Sequence, residues 1–262
     1  MPDADSPPEI CPDCEGRGWV IEPDGGAGRA RPCSCRREDL IPHLVSRSGI
    51  PSRYARCSLE NFDTTGNEQL LRAKRLCERY VESFVREDGR VRETGLLLIG
   101  DAGVGKTHLA VAVLSELTRR YAVRGLFADF TSLIHQIQST FDPSSGESKH
   151  EILDPIMEAD LLVLDELGAQ KPTAWVSDVL YLIMNGRYTR RLPTLFTTNY
   201  RLDADAQSVE GGLDKMPSAS RGDSLAQRIP GRLVSRLYEM AQPIEIHAGD
   251  FRREVKVAQH QI

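Results

Sequence analysis

Between residues 90 and 247, short apolar runs alternate with longer stretches in which apolar residues recur every three or four positions. The runs are Leu96 to Ile99, Gly125 to Phe130, Leu161 to Leu164, Pro193 to Phe196 and Pro243 to His247. Continuous apolar runs of this length read as strands buried on both faces. The periodic stretches read as helices. Asn67 to Glu87 carries Leu70, Ala73, Cys77, Tyr80 and Phe84 on one face, whereas Leu109 to Leu117 is apolar nearly all round, as in a helix sunk against a sheet. Leu133, Ile134, Ile137 and Phe141 define another helix with Thr131 as its cap, and Ile152 to Met157 a short one. Trp175 to Tyr188 follows, with Thr173 as cap and Val176, Val179, Leu180 and Ile183 facing inward; Ser224 to Met240 is the last. Strands alternating with helices predict an α/β fold, a mostly parallel sheet covered on both faces in three layers.

The flanks read differently. Residues 1–9 are acidic and proline-rich. Cys11 and Cys14 then form one close pair, Cys33 and Cys35 a second. Two knuckles of two thiolates each suit a tetrahedral Zn²⁺ site, with a redox dithiol or an unmetallated loop as the alternatives. Gly16 to Ile21, the Gly25–Gly28 turn and Arg29 to Pro32 predict a β-hairpin joining the pairs. About 40 residues bury little core, so metal would supply most of the folding energy of such a module. Residues 36–66 read as an extended connector anchored by Ile50, Pro51, Tyr54 and Phe62, with Cys57 as a buried thiol; Cys77 falls on a helix's core face. Residues 142–148 are a polar break, and 204–223 a polar, Gly-, Ser- and Asp-rich flexible insertion. The expected organisation is a zinc-binding module over 1–40, a connector over 41–66 and a catalytic domain over 67–262.

Composition narrows the setting. No run reaches the 18–20 apolar residues of a membrane span, and the first residues do not resemble a signal peptide, so the expected location is cytoplasmic, without membrane contact. A net charge of −5 provides no overall attraction for nucleic acid. The first 39 residues hold Arg17, Arg29, Arg31, Arg36 and Arg37 against nine acidic residues, a solvated, mixed-charge surface that fits protein docking at least as well as DNA contact.

The most informative stretch joins the first buried strand to the all-round apolar helix. Gly100, Asp101, Ala102, Gly103, Val104, Gly105, Lys106 and Thr107, followed by His108, fill the G-x-x-x-x-G-K-[ST] pattern of a phosphate-binding loop. Glycines let backbone N–H groups converge on a polyphosphate, Lys106 reaches its outer phosphates, Thr107 helps hold Mg²⁺, and the helix start faces the anion. The third run ends in Asp165 and Glu166: one carboxylate for the metal, one to polarise a water. Asn199, at the tip of the fourth run, is placed to orient that water. Arg187, Arg190 and Arg191 end a helix, where either the dipole or an external contact explains them. Arg228, Arg232 and Arg236 share one face at i, i+4 and i+8, either solvated or meeting a phosphate across a subunit interface.

In this order, these motifs resemble an AAA+ ATPase across residues 50–253, and more narrowly the DnaC/DnaI-type replicative helicase loaders and the related IstB transposition ATPases. The resemblance is carried by Leu59-Glu60-Asn61-Phe62, Gly100 to His108, Leu164 to Gly168, Leu195 to Asn199 and Gly231 to Leu237. It implies ATP with Mg²⁺ as the bound nucleotide. Lys106 and Thr107 then take the Walker A role, Asp165 and Glu166 the Walker B role, and Asn199 the sensor 1 role. Arg236, with Arg232 as the alternative, would be the finger reaching a neighbouring subunit's ATP; Arg252, with Arg253 as the alternative, would be sensor 2. For partners it implies a hexameric replicative helicase docked on the N-terminal region, single-stranded DNA, and self-association through the ATPase domain. The loader reading follows, with ATP binding driving assembly and hydrolysis driving release; an IstB-like ATPase that coats DNA and recruits a transposase is the alternative.

Overall fold

A computed structural model describes residues 13, 19–22, 29–32, 34–85, 91–141, 148–202 and 224–253. An antiparallel ribbon, β1 (Trp19–Glu22) and β2 (Arg29–Pro32), matches the hairpin read from sequence. Helix α1 (Ser34–Ser46) follows. Here the extended reading of residues 36–66 is corrected: Leu40, Ile41, Leu44 and Val45 repeat at helical spacing, and the helix carries Pro42 within it. The helix also runs past residue 40, where the boundary between module and connector was expected.

The rest of the connector is laid across the main domain as predicted. Phe127 N donates to Ser48 O at 2.7 Å, tying the connector to a strand at the sheet edge. A 3₁₀ turn (Ser52–Tyr54) brings Tyr54 against Phe127, and Phe62 is buried. Cys57 is only half-buried, not the core thiol expected, whereas Cys77 is fully buried. Asn67 caps α2 (Glu68–Glu82), accepting from the Gln69 and Leu70 amides at 2.9 and 3.1 Å.

Five parallel strands then alternate with helices: β3 (Gly95–Gly100), α3 (Lys106–Tyr121), β4 (Gly125–Asp129), α4 (Phe130–Ser139), α5 (Lys149–Glu158), β5 (Leu161–Asp165), α6 (Ala174–Thr189), β6 (Thr194–Thr198), α7 (Leu225–Arg228), α8 (Gly231–Met240) and β7 (Ala241–Ile246). Their order in the sheet is β4-β5-β6-β3-β7. Alternate strand residues feed two apolar layers. Leu96, Leu98, Leu161 and Val163 pack with α2 and α3; Leu97, Ile99, Leu162 and Leu164 pack with α4, α5, α6 and α8. This is the three-layer architecture the hydrophobic pattern predicts. Because all five strands run the same way, their C-terminal ends share one edge, where ligands of open parallel sheets bind. Strand β6 lies between β3 and β5, so the tips bearing the glycine loop and Asp165 flank the tip leading to Asn199. Among the described residues, no helix is long and apolar enough to cross a membrane.

Four local expectations change. Asp129, rather than Thr131, caps α4, accepting from the Ser132 amide at 2.7 Å, and the helix starts at buried Phe130. Phe141 is 62% exposed and meets Trp175 edge-on instead of entering the core. Pro230 splits the final helix in two, so Arg228 leaves the face shared by Arg232 and Arg236 and lies over Tyr200, donating to its hydroxyl at 2.6 Å. Arg187 serves neither of its expected roles. It is fully buried and donates to the Ile156, Ala159 and Pro193 carbonyls and the Thr194 hydroxyl at 2.7–2.9 Å, tying α5 to β6; burial lowers its pKa to about 10. Arg187→Leu leaves those acceptors unsatisfied and is expected to cost about 3 kcal/mol or more, read from denaturant midpoints.

Candidate nucleotide-binding site

The glycine loop leaves β3 and closes at the first turn of α3. Gly103 and Gly105 sit at φ +85° and +93°, a left-handed conformation that other residues rarely adopt. Neighbours fill the space beside both. A Cβ at Gly105 would fall 2.6 Å from the Phe62 ring, and one at Gly103 would collide with the Asp250 carboxylate. The loop is therefore held from outside by the connector and by residues beyond β7, where the Phe251 amide donates to Gly103 O at 3.3 Å. His108 joins this scaffold: its Nε2 is 2.9 Å from Ser58 O, and Phe62 meets its ring edge-on.

Lys106 is buried and donates to Asp101 O at 2.7 Å. Burial lowers its pKa to about 8, against the opposing pull of Asp165, Asp101 and Glu166. Thr107 Oγ1 donates to the Asp165 carboxylate at 3.0 Å, joining the loop to the tip of β5. Asp165 is buried, and burial raises its carboxyl pKa while hydrogen bonds from Thr197 and Thr107 oppose the rise. A hydroxyl and a buried carboxylate converging from two elements fit an Mg²⁺ ion beside a polyphosphate.

Glu166 takes φ +59°, unusual for a residue with a side chain. The conformation is held because its amide donates to Thr197 Oγ1 at 3.0 Å, the Leu167 amide donates to Thr197 O, and Thr198 Oγ1 donates to Leu167 O. Burial, then the Asp129 and Asp165 carboxylates, push the Glu166 pKa up. Sequence reasoning missed two residues here. Thr197 bridges Asp165 and the Glu166 backbone, and Asp129, paired in register with Asp165, adds a third carboxylate. Their signals are polar residues at the ends of otherwise apolar strands.

These groups line one cleft of about 770 Å³. Ala102 to His108, Glu166, Thr197 and Asn199 line it together with Arg53, Tyr54, Cys57, Asn61 to Asp63 and Thr65 to Asn67 from the connector. The volume suits a nucleotide-sized ligand. Arg252 reaches the cleft, whereas Arg253 pairs with Asp250 at 3.4 Å and is not among the lining residues. Arg232 and Arg236 do not line it either; they lie on α8 beside α6. Cys11, Cys14 and Cys33 fall outside the described residues, as does the side chain of Cys35, which begins within α1. The 204–223 insertion lies outside them too.

Known proteins resemble this chain. Residues 50–219 match the family described as IstB-like ATP binding protein. Bacillus subtilis YqaM is 26% identical, the match covering 66% of this chain and 56% of YqaM, a little over half that protein's length. The Escherichia coli replicative helicase loader DnaC is 29% identical, with 78% of this chain and 84% of DnaC covered. A crystal structure of the DnaC helicase loader superposes with a TM-score of 0.60 at 29% identity, over 75% of this chain and all of that one. Its P-loop AAA+ fold is the three-layer fold found here. With a family match over most of the domain and the glycine loop that such a family requires, the chain belongs to the IstB-like ATP binding protein family.

Proposed function

We propose that this protein is an ATPase that loads a hexameric replicative helicase onto single-stranded DNA, ATP binding assembling it with its partners and hydrolysis releasing it. One observation carries the reading: Lys106, Thr107, Glu166 and Asn199 line one cleft, with Asp165 bonded to Thr107, in a chain similar to a helicase loader.

The loop amides and Lys106 would bind the β- and γ-phosphates, with Thr107 and Asp165 holding Mg²⁺, which neutralises charge developing on the phosphates. Asn199 would orient a water in line with the γ-phosphorus. Glu166, made more basic by burial and neighbouring carboxylates, takes that water's proton as the new P–O bond forms and the bond to the bridging oxygen breaks. ADP leaves with Arg252 at the cleft rim. Arg236 of a neighbouring copy would stabilise the transferring charge, so a dilute monomer turns over slowly.

The state of Lys106 gives a pH dependence. Free, it titrates near pH 8; a bound polyphosphate raises that value, because anions favour the ammonium form. Affinity is therefore full below pH 8 and falls as pH rises above it, up to the bound-state value, at up to tenfold per unit. Binding in that window takes up a proton, which calorimetry in buffers of different ionisation enthalpy will detect.

The domain organisation over 1–40, 41–66 and 67–262 belongs to the same proposal, with Cys11, Cys14, Cys33 and Cys35 holding one Zn²⁺ and the N-terminal module docking the helicase. The test is size analysis with the host's replicative helicase, with and without ATP, alongside a 1–40 deletion. The expected result is a complex with the full chain, about one zinc per chain, and loss of both on deletion. The IstB-like family match favours a second reading, ATP-dependent coating of duplex DNA and recruitment of a transposase. Filaments on duplex DNA with no helicase complex would replace the loader with it.

A further inference from the structure

Helix α6 places Tyr181 and Tyr188 two turns apart on the face that meets α8. The Arg232 guanidinium carbon lies 4.2 Å from the centre of the Tyr181 ring. That of Arg236 lies 5.1 Å from the same centre and 5.5 Å from the Tyr188 ring. Tyr188 is itself fixed, its hydroxyl donating to Glu239 at 2.6 Å. Two cations thus share one aromatic ring.

Among the described residues, neither arginine has an ion pair with a carboxylate. They lie in the first and second turns of α8, whose first turn carries no acidic residue, so the positive end of the helix dipole adds to their charge. One nitrogen of Arg236, Nη1, is buried without a hydrogen-bond acceptor, a state that folded proteins seldom leave unmet. Like charges side by side and an unfavourable dipole are both relieved by the same thing: an anion with several acceptor oxygens. The ring explains why the pair persists without one. A carboxylate would occupy the guanidinium N–H groups, whereas an aromatic face attracts the cation and leaves those donors free.

We propose that Tyr181 is a positioning residue that presents Arg232 and Arg236 together as a two-pronged clamp for the terminal phosphate of ATP bound to a neighbouring copy of this chain. The two arginines then act jointly instead of being alternatives for a single finger. Tyr188, fixed by Glu239, steadies the Arg236 prong. This rests on the proposed reading that α8 serves a neighbour's cleft in trans.

Mixed-subunit turnover separates the two levels. Full-length chain carrying Lys106→Ala has a disabled cleft but an intact α8 face; chain carrying Arg232→Ala and Arg236→Ala has the converse. Each alone is expected to be inactive with ATP and single-stranded DNA, and mixing should restore turnover. Adding Tyr181→Leu, which keeps apolar packing but removes the ring, to the Lys106→Ala donor should cut the restored rate about tenfold. Tyr181→Phe should retain it. In otherwise native chain, Tyr181→Leu should leave affinity for a fluorescent ATP analogue unchanged, which also reports folding. Undiminished restoration by the Tyr181→Leu donor overturns the platform and leaves the trans reading standing. No restoration on mixing, or a double-arginine variant as active as native chain, overturns the trans reading and the platform with it. Restoration equal for either single-arginine donor and the native pair refutes joint action.

Discussion

Lys106→Ala is expected to lower ATP affinity at least a hundredfold while leaving the fold standing. The loss follows from removing charge-assisted contacts to two phosphates, at about 1.5–3 kcal/mol each. The unliganded fold should survive because Lys106 is itself held at a cost: burial has already lowered its pKa to about 8, and among the described residues its one hydrogen bond is to the Asp101 carbonyl. Removing the ammonium also withdraws the favourable field at Asp165 and Glu166, pushing both carboxyls further up. Fluorescent-nucleotide titration and thermal melts read the two halves separately. The melting temperature without nucleotide should stay within a few degrees of native, and the rise on adding ATP should vanish, since that rise reports binding to the folded state alone. Native affinity in the variant would mean that the cleft does not hold polyphosphate as described.

Glu166→Gln should produce the opposite split. Nucleotide stays bound, more tightly if anything, because a carboxylate near the γ-phosphate is replaced by a neutral amide. Turnover should fall by 10²–10⁴-fold, the usual range for removing a general base. Glutamine fits the same backbone, whose φ of +59° is fixed by bonds to Thr197 rather than by the side chain. Single-turnover measurement of phosphate release is the test; a native rate would assign the base elsewhere, Asp129, whose carboxylate helps raise the Glu166 pKa, being the next candidate. Because burial and neighbouring carboxylates hold the Glu166 pKa above its ordinary value, native turnover should fall off at a higher pH on the acid side than a solvent-exposed glutamate would allow. That limb should disappear in Glu166→Gln.

The sheet and its ligand edge were legible because each core strand is an apolar run with few polar interruptions, and each edge residue of note follows such a run. Lys106, Thr107, Asp165, Glu166 and Asn199 are all of that kind, so period and motif together point to one edge. What escaped was long-range. Nothing local distinguishes Arg187, buried among three carbonyls, from Arg190 and Arg191 a turn later at the surface. Phe62 and Asp250 lie more than forty residues from Gly103 and Gly105 on either side, yet occupy the volumes those glycines leave open. The arginine periodicity from Arg228 to Arg236 runs straight through Pro230, yet a proline following Ile229 is a reason to end one helix and begin another. In α1 the Leu40–Val45 spacing signals a helix even though Pro42 lies within it.

The cleft and the α6–α8 face meet in one account: a chain that binds ATP by itself and turns it over only beside a neighbour, while a helicase ring is set onto DNA. Helicase loading on closed circular single-stranded DNA tests this most directly, because a ring cannot thread onto a circle unaided. The host's replicative helicase, a labelled oligonucleotide annealed to the circle, and this protein are combined with ATP, and strand displacement is followed. The account predicts displacement that requires the native chain and is lost with Lys106→Ala. Displacement no greater than with helicase alone, despite ATP turnover by the chain, would contradict it.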